Sequence, residues 1–420
     1  MDIHSPGVSS FFRKGQLLFL ILIAATLPIK AVQVNSIAIL CLCGLWLIEK
    51  IMNREVIRAF TDVRFWALGS LFFVFLFSVL WAQNKPLAFS HLETRFSLFA
   101  IPVVILSSDR LARRDINIVL IAFLVMCLVT SAMCIIGTVY TNLSNGIPYN
   151  EANSWYYSAI PLTEKYGFHP SYFSIYCSFC IFFLVDLYKN KAIRLGVLIG
   201  LGLYLAIFQL FLASRIGVLA FIMVSVVTLL YEFHAKGKLR LGLLYSILLL
   251  LLVGIGVFSS GGLKEKFFAM VNYRVHQYNQ AFKVDNRLTQ WQSALAVFED
   301  NIWLGTSVGD LQAELVKEYD KRGFKVGYEN RYNTHNLLLE TACSTGLLGI
   351  LSLACLFAFS FYTGIRYTDV LYLQFLLLFT MLAFVEAPFS VQKGVVYFAF
   401  FNTLLLCRNY PEKQPTSLTT

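Results

Sequence analysis

The sequence predicts an all-α, polytopic membrane protein with about 12 transmembrane helices and a long helical loop on the outer side. Three observations carry this. The chain of 420 residues is 58% hydrophobic and only 14% charged, against about 45–50% and 25% for a soluble domain. Its mean hydropathy is +0.67, so the surplus apolar surface must face lipid. Finally, the apolar runs have spanning length, and the basic residues alternate between the segments joining them.

A hydrocarbon layer of ~30 Å takes about 20 apolar residues in a helix. Twelve such segments are read at 16–33, 35–51, 65–82, 95–108, 116–139, 170–187, 195–213, 216–232, 241–259, 336–362, 368–386 and 393–408. The first follows Arg13 and Lys14 and resembles a signal peptide, but no small-residue cleavage site follows, so it reads as an uncleaved helix. The fourth is short and contains Pro102.

The run Leu195–Leu230 is interrupted only by Ser214-Arg215. One helix of that length would reach ~54 Å, too long for a bilayer. The chain must therefore reverse near Arg215, placing it at the outer face. With the N-terminus inside, the inner segments hold Arg13/Lys14, Lys50/Arg54/Arg58/Arg64, Arg110/Arg113/Arg114, Lys189/Lys191/Arg194, Lys236/Lys238/Arg240, Arg366 and Arg408/Lys413. This is the positive-inside bias, and it puts both termini inside. The formal charge of +10 is thus spent on orientation, and no nucleic-acid partner is expected.

The domain plan follows. Residues 1–259 hold nine helices, with a short polar and aromatic outer loop at 140–169. Residues 260–335 form a longer outer loop in which Asn286–Phe298 and Asp310–Tyr319 read as amphipathic helices. Residues 336–410 hold the last three spans, and 411–420 form an inner tail.

Four of the six histidines (His91, His169, His276 and His335) fall at the outer face, with Glu93, Arg95, Arg215, Arg287, Glu340, Glu386 and Lys393. Ionisable groups at span edges are costly and so mark function. Snorkelling to the headgroups is the alternative for each. His335 opens the tenth span in Asn333-Thr334-His335-Asn336. With Thr334 or Asn333 as cap, its ring would lie at the positive end of the helix dipole and stay neutral, as a general base must. A purely capping histidine is the bland alternative. Arg215 and Arg287 offer permanent charge in a fork matched to phosphate oxygens; for Arg287 the alternative is a surface ion pair with Asp285 or Glu299.

Other chemistries leave no signature. There is no Walker A, Rossmann fingerprint, HExxH or G-x-S-x-G. Glu318 and Asp320 diverge on a helix, so no metal site and no cofactor are expected. The nine cysteines lie in or beside apolar runs, Cys177 and Cys180 included, and read as lipid-phase thiols.

The stretch His335-Asn336-Leu337-Leu338-Leu339-Glu340, followed by Gly346-Leu347-Leu348-Gly349, resembles the signature of the O-antigen ligase and Wzy-type polymerase superfamily. Ser214-Arg215-Ile216-Gly217 is similar to that family's Ser-Arg motif. Asn286-Arg287 with Trp291, and Asn301-Ile302-Trp303-Leu304-Gly305, resemble its outer-loop motif. Glu93-Thr94-Arg95, His169-Pro170-Ser171-Tyr172, and Glu386 with Gln392-Lys393-Gly394 also look like family positions. The departure is Gly305-Thr306-Ser307, where many relatives carry Gly-x-Gly.

The resemblance implies a glycosyltransferase of the bacterial inner membrane with a periplasmic site. It would move a glycan from undecaprenyl diphosphate to a hydroxyl of lipid A–core oligosaccharide, inverting and without metal. His335 would be the base, and Arg215 and Arg287 would hold the diphosphate. Arg95, His169, Tyr172, Asn336, Glu386 and Lys393 would form a second tier. A polysaccharide polymerase or a protein O-oligosaccharyltransferase would use the same chemistry on another acceptor. A transporter of lipid-linked glycan is the rival of a different class, disfavoured because the informative charges gather at one face.

Overall fold

The computed structural model describes residues 6–30, 32–53, 58–107, 111–150, 153–259 and 286–409. His4, His276 and residues 260–285 lie outside them. The described chain is helical, with no strand among the described residues. In order come α1 (Pro6–Thr26), α2 (Val32–Met52), α3 (Val63–Ser78), α4 (Lys85–Arg95), α5 (Ser97–Ser107), α6 (Arg113–Ser144), α7 (Ala159–Thr163), α8 (Pro170–Lys189), α9 (Leu195–Phe211), α10 (Arg215–Ala235) and α11 (Leu239–Ser259). Then follow α12 (Asn286–Glu299), α13 (Leu311–Lys321), α14 (Lys325–Asn330), α15 (Leu337–Arg366), α16 (Val370–Val385) and α17 (Gln392–Asn409).

Among the described residues, eight helices, one of them running through α4 and α5, are long and apolar enough to cross a membrane. α9 and α16 are shorter apolar helices. The protein is therefore a multi-pass membrane protein; eight of the twelve expected spans meet that length and composition among the described residues. α4 and α5 meet at Phe96 with only a slight break, so the short fourth segment continues a helix that begins ten residues earlier.

The core is aromatic. Phe123 of α6, Tyr176 and Phe179 of α8, Phe375 and Phe379 of α16, and Tyr397, Phe398 and Phe401 of α17 interlock ring against ring. Such side chains let tightly packed helices hold together where lipid removes the usual hydrophobic drive. α11 shows the opposite pattern. It is apolar all round and nearly every side chain faces outward, as befits a helix bathed in lipid.

The reversal near Arg215 is visible in the contacts. α8 and α10 run parallel, since Ser174 meets Gly217, Phe182 stacks on Phe221, and Lys189 pairs with Glu232. α9 joins the far end of α8 back to their shared near end, where Gln209 Nε2 donates to Ser178 Oγ (3.0 Å) and to the Gly217 carbonyl (2.9 Å). The turn closes through Ala213 at φ 47°, and Ser214 caps α10. Ion pairs Arg13–Asp115 and Arg408–Asp186 lie at the far end.

α15 is broken. Gly346 sits at φ 63°, ψ −155°, inside an otherwise helical run. The segment before α13 fills the break. Leu347 N donates to Ile302 O (2.7 Å), Thr306 N to Cys343 O (2.8 Å) and Ser307 N to Ser344 O (3.0 Å). Backbone freed in a buried stretch of helix must find protein partners, and here residues 302–307 supply them. Gly305, at φ 68°, lies against the same break; a Cβ there would stand 2.4 Å from Thr345 N.

Candidate active site

His335 lies between α14 and α15 at φ 45°, its backbone N–H held by Asn333 Oδ1 at 3.1 Å. The cap of α15 is not Thr334 or Asn333 as expected but Asn336, whose Oδ1 accepts from Leu339 N. The reason is local. Thr334 Oγ1 is engaged by Asn336 and Glu340, and Asn333 by His335. The imidazole therefore stands one residue ahead of the helix rather than on its axis.

Glu386 ends α16 and is buried. Its Oε2 lies 3.0 Å from His335 Nδ1 and its Oε1 lies 3.5 Å from Arg287 Nη2. An ionised carboxylate can only accept, so Nδ1 is the donor of this pair, and in the neutral ring Nε2 is then the acceptor nitrogen. The carboxylate thus orients the imidazole and holds the first arginine of α12 at the same centre. Arg287 pairs with Glu386 rather than with Glu299, which the sequence alone left open, and Asp285 lies outside the described residues. Asn336 fixes the geometry further, since its Nδ2 donates to Phe384 O at 3.1 Å and ties α15 to the end of α16.

A second carboxylate lies one turn along α15. Glu340 is buried, and its oxygens accept from Ser390 Oγ (2.6 Å) and Thr334 Oγ1 (3.0 Å). Arg95 approaches at 3.9 Å, packs over the Phe75 ring, and donates through Nη1 to His91 O at 3.1 Å. Tyr319 O–H donates to Tyr332 O (3.2 Å) beneath this segment, and burial with the nearby Glu340 charge pushes its phenol pKa up. It is a structural donor.

Arg215 is exposed and, among the described residues, makes no ion pair. Register brings it to the same end as Glu386. Gln374 of α16 donates to Thr228 of α10; from that contact Glu386 and Arg215 lie in the same direction, each about 18–20 Å away at 1.5 Å per residue. Tyr172 of α8 lies within electrostatic reach of Glu386 and Glu340.

The remaining expectations divide. His169 caps α8, its Nδ1 accepting from Ser171 N at 3.4 Å. Lys393 is occupied, donating to Ile29 O (2.7 Å) and lying 3.5 Å over the Phe168 ring. Neither joins the His335–Glu386 contact. Among the described residues no group of three or more His, Cys, Asp or Glu is placed to hold a metal ion, and all nine cysteines are free thiols. A cavity of about 380 Å³ opens beside His335, walled in part by Arg331, Tyr332, Gln312 and Ser390. The sequence reading passed over these four. The only signal was their polarity beside His335 and Glu386.

The O-antigen ligase family model matches residues 200–354. No curated protein matches the chain. The matched stretch runs from α9 to the middle of α15 and contains Arg215, Arg287 and His335, while Glu386 follows it. The likeness to the O-antigen ligase superfamily read from the ordered motifs therefore holds over that stretch.

Proposed function

We propose that the protein is an O-antigen ligase of the inner membrane, transferring a glycan from undecaprenyl diphosphate to a hydroxyl of lipid A–core oligosaccharide at the periplasmic face. The observation that carries this reading is the shared carboxylate of Glu386, which orients His335 and Arg287 at one centre within and beside the matched stretch. His335 Nε2 takes the proton of the acceptor hydroxyl. The acceptor oxygen bonds to the anomeric carbon, and the bond from that carbon to the diphosphate oxygen breaks, its electron pair leaving with the diphosphate. Arg287 and Arg215 hold that departing charge. Attack opposite the leaving group inverts the anomeric centre. No metal enters the reaction, because the arginines supply the positive charge. The segment 286–335 shields the site from water, which competes as acceptor.

The test uses purified wild type and His335→Ala with undecaprenyl-diphosphate-linked glycan and lipid A–core, with and without chelator. Transfer by wild type, unchanged by chelator and lost in folded His335→Ala, supports the reading. A product extended on the lipid-linked donor itself would make the enzyme a polymerase. Glycan moved across vesicles without covalent product would make it a transporter.

A further inference from the structure

α15 does not cross the membrane as one straight rod. Phe357 stacks on Phe379 of α16, and Phe384 lies five residues further along α16, about 7.5 Å at 1.5 Å per residue. Along a straight α15, Asn336 would stand about 32 Å from that stack. Yet Asn336 Nδ2 reaches Phe384 O at 3.1 Å. The segment before Gly346 therefore lies across the bundle, and the span proper runs from Leu347 to Arg366. That length covers ~30 Å, the thickness of a hydrocarbon layer. Gly346 thus sits at the edge of the layer, on the His335 side.

At that break the chain presents Ile302-Trp303-Leu304 with side chains turned away from the protein. Trp303 is 73% exposed, and Ile302 and Leu304 are exposed as well. Their backbone is held inward: Leu347 N donates to Ile302 O at 2.7 Å, and the Trp303 carbonyl packs where a Cβ on Gly346 would stand. The surroundings are apolar and exposed too. Leu348 and Leu351 follow on α15, in a stripe that continues to Tyr362 and Ile365. On α3, Ser78 Oγ accepts from Val308 N at 3.4 Å and so stands level with this segment; its neighbours Phe77 and Leu80 are exposed. Polar residues bound the patch, Asp300-Asn301 before it and Gln83-Asn84-Lys85 beyond the end of α3. A contiguous apolar patch rimmed by polar residues marks a contact surface. An indole suits the edge of the layer, with its ring against acyl chains and its N–H among headgroups.

We propose that Ile302-Trp303-Leu304 is an interfacial anchor, inserted into the leaflet on the His335 side. Its partner is lipid, because the exposed stripe of α15 that faces acyl chains runs directly up to it. Insertion is shallow, since Asp300 stays among the headgroups. α12 joins the anchor to Arg287 over 14 residues, about 21 Å of helix. The anchor thereby holds Arg287 at a fixed height against the lipid surface. It needs only a multi-pass protein and is independent of the ligase reading.

The experiment places full-length wild type and Trp303→Phe, matched for thermal unfolding, in nanodiscs of phosphatidylethanolamine and phosphatidylglycerol. The difference between their emissions is the fluorescence of Trp303. One quencher is lipid brominated near the top of the acyl chain; the other is acrylamide in the water. We expect brominated lipid to lower the difference emission about twofold or more, as for an indole at the edge of the layer, and acrylamide to lower it much less. Stronger quenching by acrylamide than by brominated lipid would put the tip in water. Quenching by neither would put it under protein, whether a second copy or another chain. Either result overturns the anchor, and neither touches the ligase reading.

Discussion

His335 Nδ1 and Glu386 Oε2 stand 3.0 Å apart, although 51 residues separate them in the chain. A general base contributes about 10²–10⁴ in rate. His335→Ala is expected to lower kcat by that factor. Glu386→Gln keeps an acceptor for Nδ1 but lets the amide turn its NH₂ toward it, favouring the wrong tautomer. Its kcat should fall by at least tenfold. An unchanged kcat would mean that Glu386 only packs.

Arg287 and Arg215 should control donor affinity. Replacing either by Gln is expected to raise the KM for undecaprenyl-diphosphate-linked glycan about tenfold or more, the value of one charge-assisted contact. The KM for acceptor should stay level. Steady-state kinetics in detergent would check this, and a rise in acceptor KM alone would contradict it.

Gly346→Ala forces a side chain onto φ 63°, ψ −155°, and brings its Cβ within 2.4 Å of Trp303 O. That backbone region costs about 1–3 kcal/mol for other residues, before the clash is counted. Gly305→Ala meets the same wall from the other side, so the double variant should lose much less than the sum. Gly200→Ala, which has open space around its Cβ, serves as a control with no loss. Thermal unfolding in detergent reads all four.

Asp310 accepts from the backbone N–H groups of Gln83 (2.8 Å) and Asn84 (2.9 Å), at the start of the helix that carries Arg95. Hydrogen bonds to a charged group contribute about 1.5–3 kcal/mol. Asp310→Ala should lower stability by about that much, with Asp310→Asn in between. Hydrogen exchange at residues 83–87 should rise in parallel; unchanged exchange would refute the role.

The spans were legible because a chain in lipid must satisfy its own backbone, and only long apolar runs can do so as helices. The turn at Ser214-Arg215 followed from the same arithmetic. Which helices pack was not legible, and the site depends on it. Glu386 meets His335 only because α16 returns beside the start of α15, as the Asn336–Phe384 bond shows. The break at Gly346 was hidden too, since a lone glycine in an apolar run reads as tolerated helix and its partner lies some forty residues earlier. Asn336 was named for its place in a motif, while its work as cap and tie needed coordinates.

The docking of residues 302–307 onto α15 also constrains biogenesis. During synthesis the loop is made before the helix it completes, and the break in α15 keeps open peptide groups until residues 302–307 dock on it. Each peptide group left open in the apolar layer would cost several kcal/mol. On the outward placement of the loop proposed above, its translocation and the insertion of α15 are coupled into one step, and the proposed site forms only when both are complete.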